Sequence, residues 1–123
     1  MANSEYLYLN SRDELLRLDI NKIVFFEGDG NYTNIVSANK LKGVVCMNLA
    51  RVQDVLDEKL REHAIIFARV GKRYIVNLNF IYSINLPKQK LILSDGYMFA
   101  YQLDIAKEAL KKLKDLYIEY KKI

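Results

Sequence analysis

Gly71-Lys72-Arg73 is the stretch of this sequence best suited to chemistry with a polyanion. A glycine lets backbone approach a phosphate closely. Lys72 adds a point charge, and Arg73 can clamp phosphates or pair bidentately with a guanine edge. Arg69 stands just before this triplet. A second stretch, Gly28-Asp29-Gly30-Asn31, ends in a side-chain amide that can read adenine in the same bidentate way. Plainer roles compete with these. Asn31 suits a left-handed turn position, and Arg69 and Arg73 could pair with Glu27 or Asp29 across strands.

Other chemistries find little support. Gly28–Asn31 follows an apolar run, as a dinucleotide loop would, but the third glycine is missing. A strand rather than a helix is predicted after it, so no helix N-terminus waits for a pyrophosphate. His63 is the one histidine, and no nucleophile and orienting carboxylate stand at recognisable spacing from it. It is expected at a helix end on the surface. The single cysteine, Cys46, excludes an internal disulfide and a Cys-rich metal site. Between Val45 and Met47 in a predicted strand, it is expected to be buried and inert. The carboxylates Glu27, Asp29 and Asp95 show no paired spacing. Nothing argues for an enzyme, a cofactor, a metal or a small-molecule substrate.

The elements that must position these residues read as a mainly β chain of the α+β class. Tyr6–Leu9 is an edge strand, followed by a second short strand near Leu15–Leu18, where Asp13 and Glu14 make a one-turn helix a rival. Ile23–Glu27 is β-branched and aromatic, ends at Gly28-Asp29-Gly30, and predicts a buried strand. Tyr32–Ser37 and Leu41–Met47 continue an antiparallel meander across a turn at Asn39-Lys40. Asn48 then offers a cap to an amphipathic helix over Leu49–Leu60, with Leu49, Val52, Val55, Leu56 and Leu60 on one face. Further strands are predicted at Ile65–Val70, Tyr74–Asn77, Phe80–Leu86, Leu91–Ser94 and Tyr97–Tyr101. Pro87–Lys90 makes one hairpin connection, and Asp95-Gly96 makes a two-residue turn. A long C-terminal helix is predicted over about Asp104–Tyr120. Its stripe of Leu103, Ala106, Leu110, Leu113, Tyr117 and Tyr120 either packs on its own domain or forms a dimer seam. Asn77 is expected to bond backbone in the core.

Composition agrees with one small domain over residues 1–123. The chain is 51% hydrophobic and 28% charged, the balance of a globular protein. It has no apolar run approaching the ~18–20 residues of a spanning helix and no signal-peptide pattern at its start, so a cytoplasmic location is expected, with no membrane partner. The net charge of +4 is unevenly placed. Residues 1–60 hold seven basic and nine acidic side chains, and residues 61–123 hold twelve and six. A basic half suggests a polyanion-binding surface. The plain alternative is a solvated helix face, since Lys111, Lys112, Lys114, Lys121 and Lys122 crowd the C-terminal end.

Two segments together resemble the LytTR family of bacterial DNA-binding domains. The first is Ile23-Val-Phe-Phe-Glu27-Gly-Asp-Gly-Asn31-Tyr32-Thr33-Asn-Ile35. The second is Phe67-Ala-Arg69-Val70-Gly71-Lys72-Arg73-Tyr74-Ile75-Val76-Asn77-Leu78, followed by Leu91–Gly96. The match runs from about Tyr6 to Leu110. The resemblance implies antiparallel strands in three small sheets with flanking helices, and a response-regulator effector domain acting in transcription regulation. It implies sequence-specific reading of double-stranded DNA by loops in the major groove, at sites made of repeated half-sites, with a homodimer on DNA as one arrangement. The implied contacts are Asn31, Tyr32 and Thr33 in the first loop, and Arg69, Lys72 and Arg73 at the second. Gln102 is the implied contact in a loop at Tyr101–Asp104 before the last helix. The chain departs from the family at Gly71, where a histidine is usual, and at Arg73, where a serine is usual. A family arginine near the last loop has no clear counterpart beside Gln102 and Leu103. No receiver domain accompanies the chain, which is expected as a freestanding effector domain or a piece of a longer protein. The rival reading is a protein-interaction module that uses β-edges or the C-terminal stripe.

Overall fold

The structure is a computed structural model that describes residues 5–123. Strands β1 (Tyr6–Asn10) and β2 (Leu15–Asp19) form a two-stranded antiparallel hairpin. The one-turn helix does not form between them. Instead the Ser11 N–H and hydroxyl both donate to the Glu14 carbonyl and close a tight turn. Strands β3 (Ile23–Asp29), β4 (Tyr32–Ser37) and β5 (Lys42–Val45) make the meander. Helix α1 (Leu49–Leu60) follows, then β6 (Phe67–Val70) and β7 (Tyr74–Asn77). These five strands form one antiparallel sheet in the order β5-β4-β3-β7-β6. Strands β8 (Ile81–Asn85), β9 (Lys90–Ser94) and β10 (Ala100–Asp104) form a third sheet, and helix α2 (Lys107–Lys121) closes the chain. The mainly β architecture of small antiparallel sheets with two helices is as expected.

The five-stranded sheet is covered on both faces, which explains why its central strands are apolar without a break. On one face Phe26, Ile35 and Ile75 pack with Val52 and Leu56 of α1 and with Leu7 and Leu9 of β1. On the other, Phe25, Tyr74 and Val76 pack with Leu91 and Leu93 of β9 and with Leu110 and Leu113 of α2. Ile23 shares the face of Phe26 although they are three positions apart, because the pairing with β4 shifts register between Ile23 and Phe25. Burying a side chain such as Phe26 stabilises the fold by about 1.5–3 kcal/mol.

Polar side chains fix the connections. Asn48 caps α1, its Oδ1 accepting the Arg51 N–H at 2.8 Å. Asn77 is buried as expected: its Nδ2 donates to the Ile23 carbonyl at 2.8 Å and its Oδ1 accepts the Asn79 N–H at 2.9 Å. It ties β7 to the start of β3.

Several boundaries differ from expectation. Asp95-Gly96 is not a two-residue turn. β9 ends at Ser94 and β10 begins at Ala100. One oxygen of Asp95 accepts the N–H groups of Tyr97, Met98 and Phe99, so its carboxylate templates a longer loop. Ile65 and Ile66 lie in a 3-10 turn before β6 rather than in the strand. Cys46 lies past the end of β5 and is exposed, not buried. Tyr101–Asp104 is strand rather than loop, and α2 starts at Lys107 rather than Asp104. Leu103 and Ile105 are both buried while Gln102 and Asp104 are exposed, the alternation of a strand. The remaining stripe packs on its own domain: Leu110 and Leu113 are buried, Tyr117 and Tyr120 rest against the same core, and the Tyr120 hydroxyl donates to Asn79 Oδ1. Among the described residues no helix is long and apolar enough to cross a membrane.

Candidate nucleic-acid interface

Two turns meet at one end of the five-stranded sheet. The β3–β4 turn is Gly30-Asn31, closed by the pair Asp29 and Tyr32. The β6–β7 turn is Gly71–Arg73, closed by Val70 and Tyr74. Strands β3 and β7 are neighbours, with Glu27 opposite Tyr74, so the turns lie side by side. The Gly28 N–H donates to the Arg73 carbonyl at 2.7 Å and joins them directly. Gly28 also admits α1, since a Cβ there would stand 3.1 Å from Leu49 Cβ. Ala109 of α2 backs the second turn, 3.9 Å from where a Cβ on Gly71 would be.

The residues expected to contact DNA fall into three groups. Asn31 and Tyr32 are exposed at the first turn, Tyr32 at 51%. The left-handed position of this turn belongs to Gly30, at φ +60°, and not to Asn31. Asn31 is therefore not required by the backbone conformation. Arg69, Lys72 and Arg73 are exposed at the second turn. Arg69 also braces it, its Nη2 donating to the Lys72 carbonyl at 2.9 Å. Thr33 and Gln102 do not join them. Thr33 is fully buried and its hydroxyl donates to the Met47 carbonyl at 2.9 Å, so it pins β4 from inside. Gln102 is exposed, but it stands mid-strand in β10 opposite Ile92, in the other sheet.

Arg73 and Glu27 form the cross-strand pair that strand adjacency allows, Nη2 to Oε2 at 3.1 Å. The guanidinium lies 5.9 Å from the centre of the Tyr74 ring, and the Tyr74 hydroxyl donates to the same Glu27 oxygen at 3.4 Å. Burial of Tyr74 pushes its phenol above the usual tyrosine range, and the Glu27 charge adds to this. The phenol therefore stays protonated and remains a donor. His63 is on the surface, 3.2 Å from Glu5.

Sequence reasoning found both helices but not that they flank these turns. Asn48, Leu49 and Ala50 at the start of α1 line a shallow groove with Lys72 and Arg73. Lys112 of α2 lines a second groove with Arg69 and Lys72. Lys112 lies in the C-terminal lysine run, which gave no sign of which lysines face the turns.

A family model described as the LytTr DNA-binding domain matches residues 13–118. The chain belongs to the LytTR DNA-binding family. A solved LytTr DNA-binding domain from Bacillus cereus has the same fold, with a TM-score of 0.62 and 18% identity over 94% of this chain and 97% of that one. No curated protein matches the chain. LytTR membership carries DNA binding and transcription regulation, and the family is one of DNA-binding domains rather than of enzymes. In this LytTR chain the turn end collects Arg69, Lys72, Arg73 and Lys112, with Glu27, Asp29 and Glu108 beside them.

Proposed function

We propose that this chain, acting as one domain over residues 1–123, recognises double-stranded DNA in a sequence-specific way through the two turns. The observation that carries the reading is that separate parts of the sequence, Asn31-Tyr32 and Lys72-Arg73, converge on one exposed end of a rigid sheet. In this reading Lys72 and Arg69 neutralise phosphates and set the register of the domain on the duplex. Arg73 and Asn31 reach base edges in the major groove, where guanine and adenine offer bidentate partners. Tyr32 lies beside them and packs on the sugar-phosphate backbone. Repeated half-sites would each receive one copy of the domain. The interaction-module reading loses its helical surface, because Leu110 and Leu113 are buried within the domain itself.

Selection from a pool of random duplexes, followed by titration of the winners at several salt concentrations, tests the proposal. Enrichment of a repeated motif, with affinity falling steeply as salt rises, is the expected result. Equal binding of all duplexes would leave only electrostatic attachment. Absence of binding at low salt would remove the proposal altogether.

A further inference from the structure

Arg73 differs from the other cations of the turn end in having a carboxylate partner supplied by a neighbouring strand. The register that sets Glu27 opposite Tyr74 places its carboxylate beside Arg73, the residue before Tyr74 in the chain. Glu27 is the inner member, its side chain 26% exposed, and Arg73 is the outer one at 66%. One guanidinium nitrogen meets Glu27 Oε2, the cation leans over the Tyr74 ring, and the Tyr74 hydroxyl donates to that same oxygen. A guanidinium has five N–H donors. Glu27 faces one of its nitrogens as an ion pair, and the largely exposed side chain leaves donors open to a ligand.

We propose that Glu27 is a positioning residue that makes Arg73 a reader of sequence rather than a general phosphate clamp. Two physical effects act together. The inner carboxylate holds the guanidinium in one orientation, so less side-chain freedom is lost when its outer edge pairs with a base. The same negative charge, set into the interface, opposes phosphates wherever the domain lands. It weakens unspecific attachment most, because only at the matching site does a good bidentate contact offset it. Glu27 thus lowers unspecific affinity and raises discrimination. The inference rests on the DNA-reading function proposed above.

The experiment measures Kd for the selected duplex and for a scrambled duplex of the same length and composition, with the parent, Glu27→Gln, Arg73→Ala and the double variant. Glutamine keeps an acceptor for the Tyr74 hydroxyl but removes the charge. Glu27→Gln should bind the scrambled duplex about two- to threefold tighter, and the ratio of specific to unspecific affinity should fall about three- to fivefold, the range an exposed ion pair can supply. With Arg73 already alanine, Glu27→Gln should leave the ratio unchanged. Glu27→Asp, which keeps the charge but retracts it by one methylene, should lower the ratio without tightening scrambled binding, and serves if the glutamine variant does not fold. A discriminating parent whose ratio survives Glu27→Gln overturns this inference and leaves the proposed function standing. So does a fall in ratio that persists without Arg73. A parent that binds both duplexes alike overturns both readings.

Discussion

The β3–β4 turn and the β6–β7 turn share one end of a sheet, a glycine near φ +60°, and a helix packed behind them. Leu49 of α1 stands behind the first and Ala109 of α2 behind the second. Their charges differ. The first is flanked by Glu27 and Asp29 and offers an amide and a phenol from Asn31 and Tyr32. The second offers Lys72 and Arg73 with Arg69 at its base. Similar scaffolding therefore carries different chemistry, and the proposed roles follow it: the basic turn supplies attraction through Lys72 and Arg69 and a charged base contact through Arg73, and the uncharged turn supplies neutral hydrogen-bonding selectivity. The Glu27–Arg73 pair is the point where the two turns act on each other.

The most drastic way to break this pairing is to remove the helix behind the basic turn. Leu110→Asp with Leu113→Asp puts two carboxylates where the native side chains are buried. Each unpaired buried charge costs several kcal/mol, against a typical total stability of about 5–15 kcal/mol. The double variant should lose its cooperative unfolding transition in circular dichroism. A well-folded product would mean that the stripe does not pack on its own sheet.

Arg73→Ala should weaken binding to the selected duplex by about 1–3 kcal/mol and relax preference at one base position. Its unfolding midpoint should move little, because an exposed ion pair is worth about 0–1 kcal/mol. Fluorescence anisotropy and a repeated selection read the first effect, and thermal melting reads the second. A large loss of stability would make Arg73 a structural residue of the turn.

Thr33→Val sharpens the contrast between what lies in the first turn and what lies beneath it. Loss of the hydroxyl bond to the Met47 carbonyl should cost about 1 kcal/mol in urea unfolding and leave DNA affinity unchanged. Weaker binding by a variant of parental stability would restore Thr33 to the interface. The smallest effect concerns Tyr74, whose phenol should titrate above the ordinary tyrosine value of 10.0. The folded state holds this proton more tightly than the unfolded state. The associated stability is therefore full below that value and is lost as pH rises through the folded-state pKa. Absorbance of the phenolate band should show one late-titrating tyrosine, and Glu27→Gln should bring it down. No change in that variant would mean that burial alone sets the shift.

Much of this arrangement could be read from residue order. The strand runs at Ile23–Glu27 and Tyr74–Asn77, the Asn48 cap and the helix over Leu49–Leu60 rest on local signals, namely β-branched runs, a capping side chain and helical spacing. What failed depended on distant partners or on mixed periodicity. Leu103 fits both a helical stripe with Leu110 and a strand row with Ile105, and pairing with β9 decides for the strand. That pairing moves Gln102 from loop to strand. Thr33 sits in a loop-like motif, yet the alternation of β4 turns it inward. Cys46 reads as strand interior, but β5 ends one residue earlier. The flanking grooves of α1 and α2 were invisible because strand order, and hence which helix backs which turn, is not a local property.

The salt dependence of binding to the selected duplex tests the central claim most directly, measured for the parent, Lys72→Ala and Asn31→Ala. If Lys72 neutralises a phosphate while Asn31 reads a base, log Kobs against log salt should be shallower by about 0.9 for Lys72→Ala. Asn31→Ala should weaken binding with the parental slope. A Lys72→Ala slope equal to that of the parent would contradict the claim and place the DNA on another face of the domain.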